Sequence, residues 1–122
     1  MKICVTSEGG NLDSKVDPRF GRCKYFLFVD TETLEFEIKD NVSANASGGA
    51  GIQAGQLMAT VGVKAVVTGH VGPNAFQTLQ AAGIDIYIGA SGTAAETIEN
   101  FKNGKLKKAD APDAAKKSGF NR

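Results

Sequence analysis

The sequence of 122 residues has few of the residues that mark the commonest secreted, nucleic-acid-binding or membrane proteins. It contains only two cysteines, Cys4 in an apolar run and Cys23 in a polar loop, so a disulfide framework is excluded and a reduced, cytoplasmic setting is favoured. A formal net charge of +1 gives no electrostatic reason to expect a nucleic acid or a membrane surface as partner. No apolar run approaches the length that spans a membrane, and no signal peptide precedes the first predicted strand.

The sequence also lacks the common signatures of catalysis. There is no C-x-x-C, H-E-x-x-H, Walker or G-x-S-x-G motif, which excludes the usual forms of zinc hydrolysis, nucleotide hydrolysis and serine hydrolysis. Asp13, Asp17 and Asp30 do not have a spacing that suggests a two-metal carboxylate site, and the single histidine has no evident acid–base partner. We therefore expect a binding or carrier protein and not an enzyme.

Hydrophobic patterning predicts one α/β domain over residues 1–104. Continuous apolar runs indicate buried strands, strict alternation over 34–39 indicates an edge strand, and Thr93 with Glu96 forms a predicted capping box. Residues 105–122 contain six lysines or arginines and two aspartates and are predicted to be a flexible basic tail. The strands are expected at 2–7, 25–30, 34–39, 64–69 and 84–88, and the helices at 52–61, 73–82 and 94–101.

This order of elements predicts a five-stranded mixed sheet between helices. The helix crossovers make strands one, four and five parallel, and the hairpin adds an antiparallel strand two, in the order 3-2-1-4-5. In that order the chain leaves strand one in two directions, which creates a crevice beyond the carboxyl ends of strands one and four. Four loops are expected to reach it: 8–24, 47–51, 69–73 and 89–93.

These loops are rich in hydrogen-bond donors and poor in acceptors. Arg19 and Arg22 supply fixed positive charge. The glycine-rich segment 48–51 leads into one predicted helix and Pro73 begins another, and the first N–H groups of a helix have no helical partner. Ser91 and Thr93 add hydroxyl groups. The pattern predicts a site for an anion with several exposed acceptor atoms, although glycine-rich turns also simply begin helices.

Two residues are candidates for direct contact with a metal. His70, in the turn before the second helix, could ligate through a ring nitrogen, or could be an ordinary surface residue. Cys23, between Arg22 and Lys24, is expected to have a thiolate favoured by neighbouring positive charge, or else to be a small apolar residue packed at a strand entrance.

Three motifs carry a family resemblance. Asp17-Pro18-Arg19-Phe20-Gly21-Arg22, the segment from Gly48 to Ala54, and Val67-Thr68-Gly69-His70-Val71-Gly72-Pro73-Asn74-Ala75-Phe76 occur in this order. With them the chain resembles the nitrogenase iron–molybdenum cofactor-binding family, and more closely its small stand-alone members, over residues 1–104.

The resemblance implies a ribonuclease-H-like three-layer α/β/α fold that holds or carries an anionic metal–sulfur cluster, of iron–molybdenum or molybdenum–copper sulfide type, in cofactor assembly or storage. It implies unidentified cluster donor and acceptor proteins as partners and a monomer or weak dimer, and His70 and Cys23 are the candidate metal contacts. A binding module for a phosphate-bearing metabolite or nucleotide remains the alternative; a nuclease is disfavoured because the first strand carries no carboxylate. The candidate cofactor-binding residues are Arg19, Phe20, Gly21, Arg22, Gly48, Gly49, Gly51, Gly69, His70, Gly72 and Pro73.

Overall fold

The computed structural model describes residues 1–44 and 48–112. Within them the chain forms six strands and three helices. The strands are β1 (Lys2–Ser7), β2 (Tyr25–Asp30), β3 (Phe36–Asp40), β4 (Ala65–Val67), β5 (Asp85–Ile88) and β6 (Lys107–Lys108), and the helices are α1 (Ala50–Val61), α2 (Pro73–Ala81) and α3 (Ala94–Lys102).

All strands belong to one mixed sheet in the order β3-β2-β1-β4-β5-β6. β1, β4 and β5 are parallel neighbours, and β2 lies antiparallel between β1 and β3, as predicted. The predicted count of five strands is one too few, because Lys107 and Lys108 pair antiparallel with Ile88 and Tyr87. Two consecutive lysines carry no apolar periodicity, so sequence pattern could not reveal this short outer strand.

The helices cover both faces of the sheet. α1 and α2 pack on one face, where Cys4, Phe26, Met58 and Leu79 are all buried in one apolar cluster. α3 packs on the other face through Ala94 and Ile98, against Ile3, Val5 and Val67. Successive residues of β1 point to opposite faces, so this central strand is buried on both sides and reads as a continuous apolar run.

Local details follow the residue types closely. α1 begins at Ala50, two residues earlier than expected, since Gly49 adopts a left-handed conformation (φ 78°) that turns the chain into the helix. The predicted capping box of α3 is confirmed: the Glu96 N–H donates to Thr93 Oγ1 at 3.1 Å and the Thr93 N–H donates to Glu96 Oε1 at 2.9 Å. β3 is an edge strand as predicted, but it is exposed on both faces and not on one.

No helix among the described residues is long and apolar enough to cross a membrane.

Candidate functional site

The N-termini of α1 and α2 open into one cleft at the carboxyl edge of the parallel strands. The cleft has a volume of about 300 Å³ and is lined by 48–51 from the start of α1, by 72–75 from the start of α2, and by Phe20 and Arg22 from the loop between β1 and β2. Seven of the eleven predicted cofactor-binding residues line it: Phe20, Arg22, Gly48, Gly49, Gly51, Gly72 and Pro73.

Both helix starts are electropositive. Neither N-cap, Gly49 nor Gly72, has a side chain that can accept a hydrogen bond, and no acidic residue lies in the first turn of either helix. The first helical hydrogen bonds are donated by Gln53 and Phe76, so the N–H groups of Ala50, Gly51 and Ala75 precede the helical ladders. Two helix dipoles therefore direct partial positive charge into the same small volume, where an anion is stabilised.

Glycine makes this convergence possible. A Cβ built at Gly21 would lie 3.0 Å from Gly51 Cα, and a Cβ built at Gly51 would lie 3.2 Å from the Ala75 Cβ. The loop, α1 and α2 thus approach each other more closely than larger side chains would allow. Gly21 is buried in this contact and does not line the cleft; its contribution is to packing.

The loop carrying Arg19 and Phe20 is fixed to the turn carrying His70. The His70 N–H donates to the Pro18 carbonyl at 2.7 Å and the Phe20 N–H donates to the His70 carbonyl at 3.3 Å. Gly69 lies directly against this loop, since a Cβ there would be 2.7 Å from Pro18 Cα. Gly69 is buried and, like Gly21, supports the cleft from behind.

Asp17 organises the same loop and was not among the predicted site residues. The residue is 3% exposed, and its carboxylate accepts hydrogen bonds from the backbone N–H groups of Arg19 and Lys24, both at 3.2 Å, and from Arg19 Nε at 3.3 Å. The Asp17 carbonyl also accepts a 2.6 Å hydrogen bond from Thr6 Oγ1. The signal available in the sequence was Asp-Pro, a common start of a turn.

Asn41 is a second positioning residue that sequence reasoning missed. Its Nδ2 donates to the carbonyls of Gly21 and Cys23 at 3.0 and 2.9 Å, which ties the end of β3 to the loop. An asparagine in a polar loop carries no pattern that would reveal these long-range contacts.

The two arginines extend the positive charge beyond the cleft. Arg22 lines the cleft and also a neighbouring open cavity of about 470 Å³, which Arg19, Lys24, Asp17 and Glu8 line as well. Arg22 Nη1 donates to the Ala44 carbonyl at 2.8 Å, and Arg19 pairs with Asp17. Arg19 therefore lies beside the cleft and not inside it.

The two candidate metal contacts differ sharply in accessibility. His70 is exposed on the turn before α2 and does not line the cleft. Cys23 is fully buried; burial first, and the negative charge of Asp17 second, raise its pKa to about 12. The prediction of a thiolate at Cys23 is therefore wrong, because desolvation outweighs the flanking charges of Arg22 and Lys24, whose side chains are exposed. Cys23 is instead the small apolar residue of the alternative prediction, packed in the core just before β2. The described residues hold no group of three or more His, Cys, Asp or Glu side chains arranged to bind a metal ion.

The loop 89–93 does not join the cleft. It pairs with the first half of the long loop instead: the Val16 N–H donates to the Gly92 carbonyl at 2.9 Å. The Thr93 hydroxyl is used in the capping box, and Ser91 is not among the residues that line the cleft. Ser47, at the start of the predicted 47–51 segment, lies outside the described residues.

A larger open groove, of about 590 Å³, runs along β2 and β3 and is lined by Asp30, Glu35 and Glu37 against a single cation, Lys2. Its negative lining is opposite to what an anionic ligand needs, so the smaller cleft between the helix starts is the better candidate site.

Comparison with known proteins identifies the family of this chain. Residues 1–104 match the family described as dinitrogenase iron-molybdenum cofactor. The chain belongs to this family. The three motifs that carried the resemblance contribute most of the cleft lining, so the motif segments and the electropositive cleft coincide.

Solved structures and a curated relative extend the match to nearly the full chain. The apo form of the orange protein from Desulfovibrio gigas is 43% identical, with a TM-score of 0.89 over 93% of this chain and 96% of its own. A candidate NifB protein from Thermotoga is 35% identical, with a TM-score of 0.81 over 93% and 97% of the two chains. An uncharacterized protein of Methanocaldococcus jannaschii is 34% identical over 88% of this chain and 91% of its own.

Proposed function

We propose that this member of the dinitrogenase iron–molybdenum cofactor family binds an anionic metal–sulfur cluster in the cleft between the starts of α1 and α2. The cluster is of iron–molybdenum or molybdenum–copper sulfide type, and the protein acts as its carrier or scaffold in cofactor assembly or storage. The observation that carries the proposal is the convergence of two helix N-termini next to Arg22. Among the described residues, no side chain caps either N-terminus and no acidic residue lies in either first turn.

Each part of the cleft has a role that suits such a ligand. Sulfide-rich anions present many acceptor atoms, and the N–H groups at the helix starts supply donors without placing side chains in the space. Arg22 adds a full positive charge and Phe20 an apolar wall. His70 does not line the cleft, but it is exposed on the turn that precedes α2 and its carbonyl accepts the hydrogen bond of the Phe20 N–H, so it is the candidate for a direct metal contact beside the cleft. Cys23 is not part of this proposal, since it is buried in the core and does not line the cleft.

The proposal is one of binding and transfer and not of catalysis. Among the described residues that line the cleft, Arg22 is the only one with a titratable side chain, so this lining offers no acid–base pair for proton transfer. Cluster donor and acceptor proteins in a cytoplasmic setting are the partners that a carrier of this kind requires.

The proposal is tested with anaerobic reconstitution, using tetrathiomolybdate with copper in one series and iron with sulfide in another. Metal content and the visible spectrum are measured after desalting. The most informative variant is Asn74→Asp, in the exposed first turn of α2. An added carboxylate there suits the helix dipole, so the fold keeps its stability, but it competes with an anion for the same positive charge. We expect metal retention to fall about tenfold, which corresponds to about 1.4 kcal/mol.

Gln56→Glu, which adds the same charge on the exposed side of α1 outside the cleft lining, is the matched control and should retain the cluster. Arg22→Ala and His70→Ala then separate the charge contribution from a direct ligand. Equal retention by wild type, Asn74→Asp and Arg22→Ala would remove the cleft as the site. Protein that stays colourless in both series but is stabilised thermally by nucleotides, in a manner that Asn74→Asp abolishes, would favour the phosphate-bearing alternative.

A further inference from the structure

The outer edge of β3 is an open surface for backbone pairing. All five residues of β3 are exposed, and no strand from the described part of the chain pairs with its outer side. The strand contains no proline, the residue that most simply blocks such an edge. Unpaired edges of this kind are templates for another strand.

The hydrogen bonds between β2 and β3 show which backbone groups are available. The Asp30 N–H donates to the Glu35 carbonyl, and the Asn41 N–H donates to the Lys24 carbonyl. Odd-numbered residues of β3 therefore direct their backbone groups toward β2. Because the direction alternates along a strand, the N–H and C=O groups of Phe36, Ile38 and Asp40 point outward.

The same strand exposes an apolar strip on one face of the sheet. Phe36 is 38% exposed and Ile38 is 45% exposed, and Leu34, just before the strand, is 46% exposed. Phe36 and Ile38 are opposite Val29 and Leu27 of β2, which belong to the apolar cluster beneath α3. The strip therefore continues that apolar face to the edge of the sheet.

We infer that β3 pairs antiparallel with β3 of a second copy of this chain, about a two-fold axis through Ile38. In this register Ile38 is opposite Ile38 of the second copy, and the pair exchanges two hydrogen bonds through its outward backbone groups. Glu37 of each copy is then opposite Lys39 of the other, at the closely spaced non-hydrogen-bonded positions where opposite charges stabilise most.

The charge pattern selects this register over its neighbour. An axis through Glu37 would satisfy the backbone equally well, but it would place Glu37 opposite Glu37 of the second copy at a closely spaced pair. Like charges directly opposite each other destabilise a sheet. The charges of Glu37 and Lys39 therefore pair with those of a second copy only when the axis passes through Ile38. Because the strand complements its own charge pattern in this way, a second copy is favoured over an unrelated strand.

The proposed pairing does not depend on the cluster site. Phe36, Ile38 and Lys39 do not line the cleft, so joining two sheets at β3 leaves both clefts open. An experiment can therefore contradict the dimer without contradicting cluster binding, and the reverse.

Sedimentation equilibrium of the full-length protein over a range of concentrations tests the pairing. We expect a concentration-dependent dimer whose dissociation constant rises about tenfold or more in Glu37→Lys and also in Lys39→Glu, because each change makes both cross-strand pairs repulsive. An equimolar mixture of the two variants should dimerise again, since a strand with two lysines at these positions then meets a strand with two glutamates. Glu99→Lys, an exposed reversal on α3, is the matched control and should behave as wild type.

Cross-linking locates the axis. Oxidised Ile38→Cys should form a covalent dimer, because directly opposite residues in a hydrogen-bonded pair are about 5.5 Å apart between Cα atoms, within disulfide reach. Phe36→Cys lies off the axis and should remain uncross-linked. A wild type that is monomeric at all concentrations, or a mixture of the charge variants that stays monomeric, would overturn the inference.

Discussion

At the scale of single residues, burial decides chemistry more than neighbouring charge does. Cys23 stands between two cations in the sequence, yet its thiol is inside the core beside Cys4, and burial raises the pKa of both thiols. The sequence pattern could show which charges are near Cys23 along the chain, but not that the flanking side chains point outward while the sulfur points inward.

These raised pKa values predict a loss of stability in alkali. In the unfolded chain a thiol loses its proton near its ordinary pKa of 9.0, whereas in the folded protein Cys23 keeps it until about 12. Between these values the folded state binds more protons than the unfolded state, so stability is complete below about pH 9 and falls as pH rises toward 12. The free energy of unfolding in urea should therefore fall less steeply over this range in Cys23→Ala than in wild type.

Thiol labelling provides the independent check. A disulfide reagent should react with neither cysteine of the folded wild type at neutral pH and with both after unfolding in denaturant. Rapid labelling of the native protein would show that Cys23 is accessible and would contradict the burial argument.

At the scale of elements, the three helices and five of the six strands of the described residues were predictable, whereas β6 and the contacts between loops were not. Apolar runs, Pro73 and the Thr93–Glu96 box are local signals, and each element that they predict begins and ends within two residues of the expected bounds. The binding of the 17–22 loop to the 69–71 turn depends on a close approach of Pro18 to Gly69, which are about fifty positions apart, and Asp17 is held by Thr6. Local patterns contain no information on such pairings, so the cleft was located in outline while Asp17 and Asn41 were missed.

The packing of these two loops is testable through Gly69→Ala. The added methyl would lie 2.7 Å from backbone and side-chain atoms of Pro18, so the two loops must separate. Overpacking of this kind should lower the free energy of unfolding by about 1–3 kcal/mol. Urea denaturation measures the change, and metal retention in the reconstitution assay should fall with it because Phe20 is attached to the same turn.

The matched control is Gly48→Ala, where an added Cβ meets nothing within 4 Å. Its effect on stability should stay within about 0.5 kcal/mol. Equal stability of the two variants would show that the loops move apart without cost and are not packed as tightly as their geometry indicates.

At the scale of the whole molecule, the sheet extends beyond residues 1–104, the segment that the family model matches. The family match ends at residue 104, but the chain continues into β6, which completes the far edge of the sheet. The Ala109 N–H donates to the Ile86 carbonyl at 2.8 Å, and Leu106 and Ala109 pack against opposite apolar clusters. The basic composition of 105–122 predicts a flexible tail, but Lys107 and Lys108 lie on an edge strand, which composition alone does not distinguish from lysines in solution. Residues 113–122 lie outside the described residues, so for them the tail stays a prediction.

Two truncations separate these possibilities. A chain ending at residue 112 keeps β6, and a chain ending at residue 104 loses β6 together with the apolar contacts of Leu106. We expect the shorter chain to unfold about 1–3 kcal/mol more easily in urea than the longer one, because the apolar area and the hydrogen bonds to β5 are lost. If both chains unfolded at the same urea concentration, β6 would contribute nothing to the domain and residue 104 would be its functional end. If only the shorter chain is destabilised and both bind the cluster equally, β6 stabilises the domain by pairing with β5 and is not needed for the cluster site, which lies at the starts of α1 and α2.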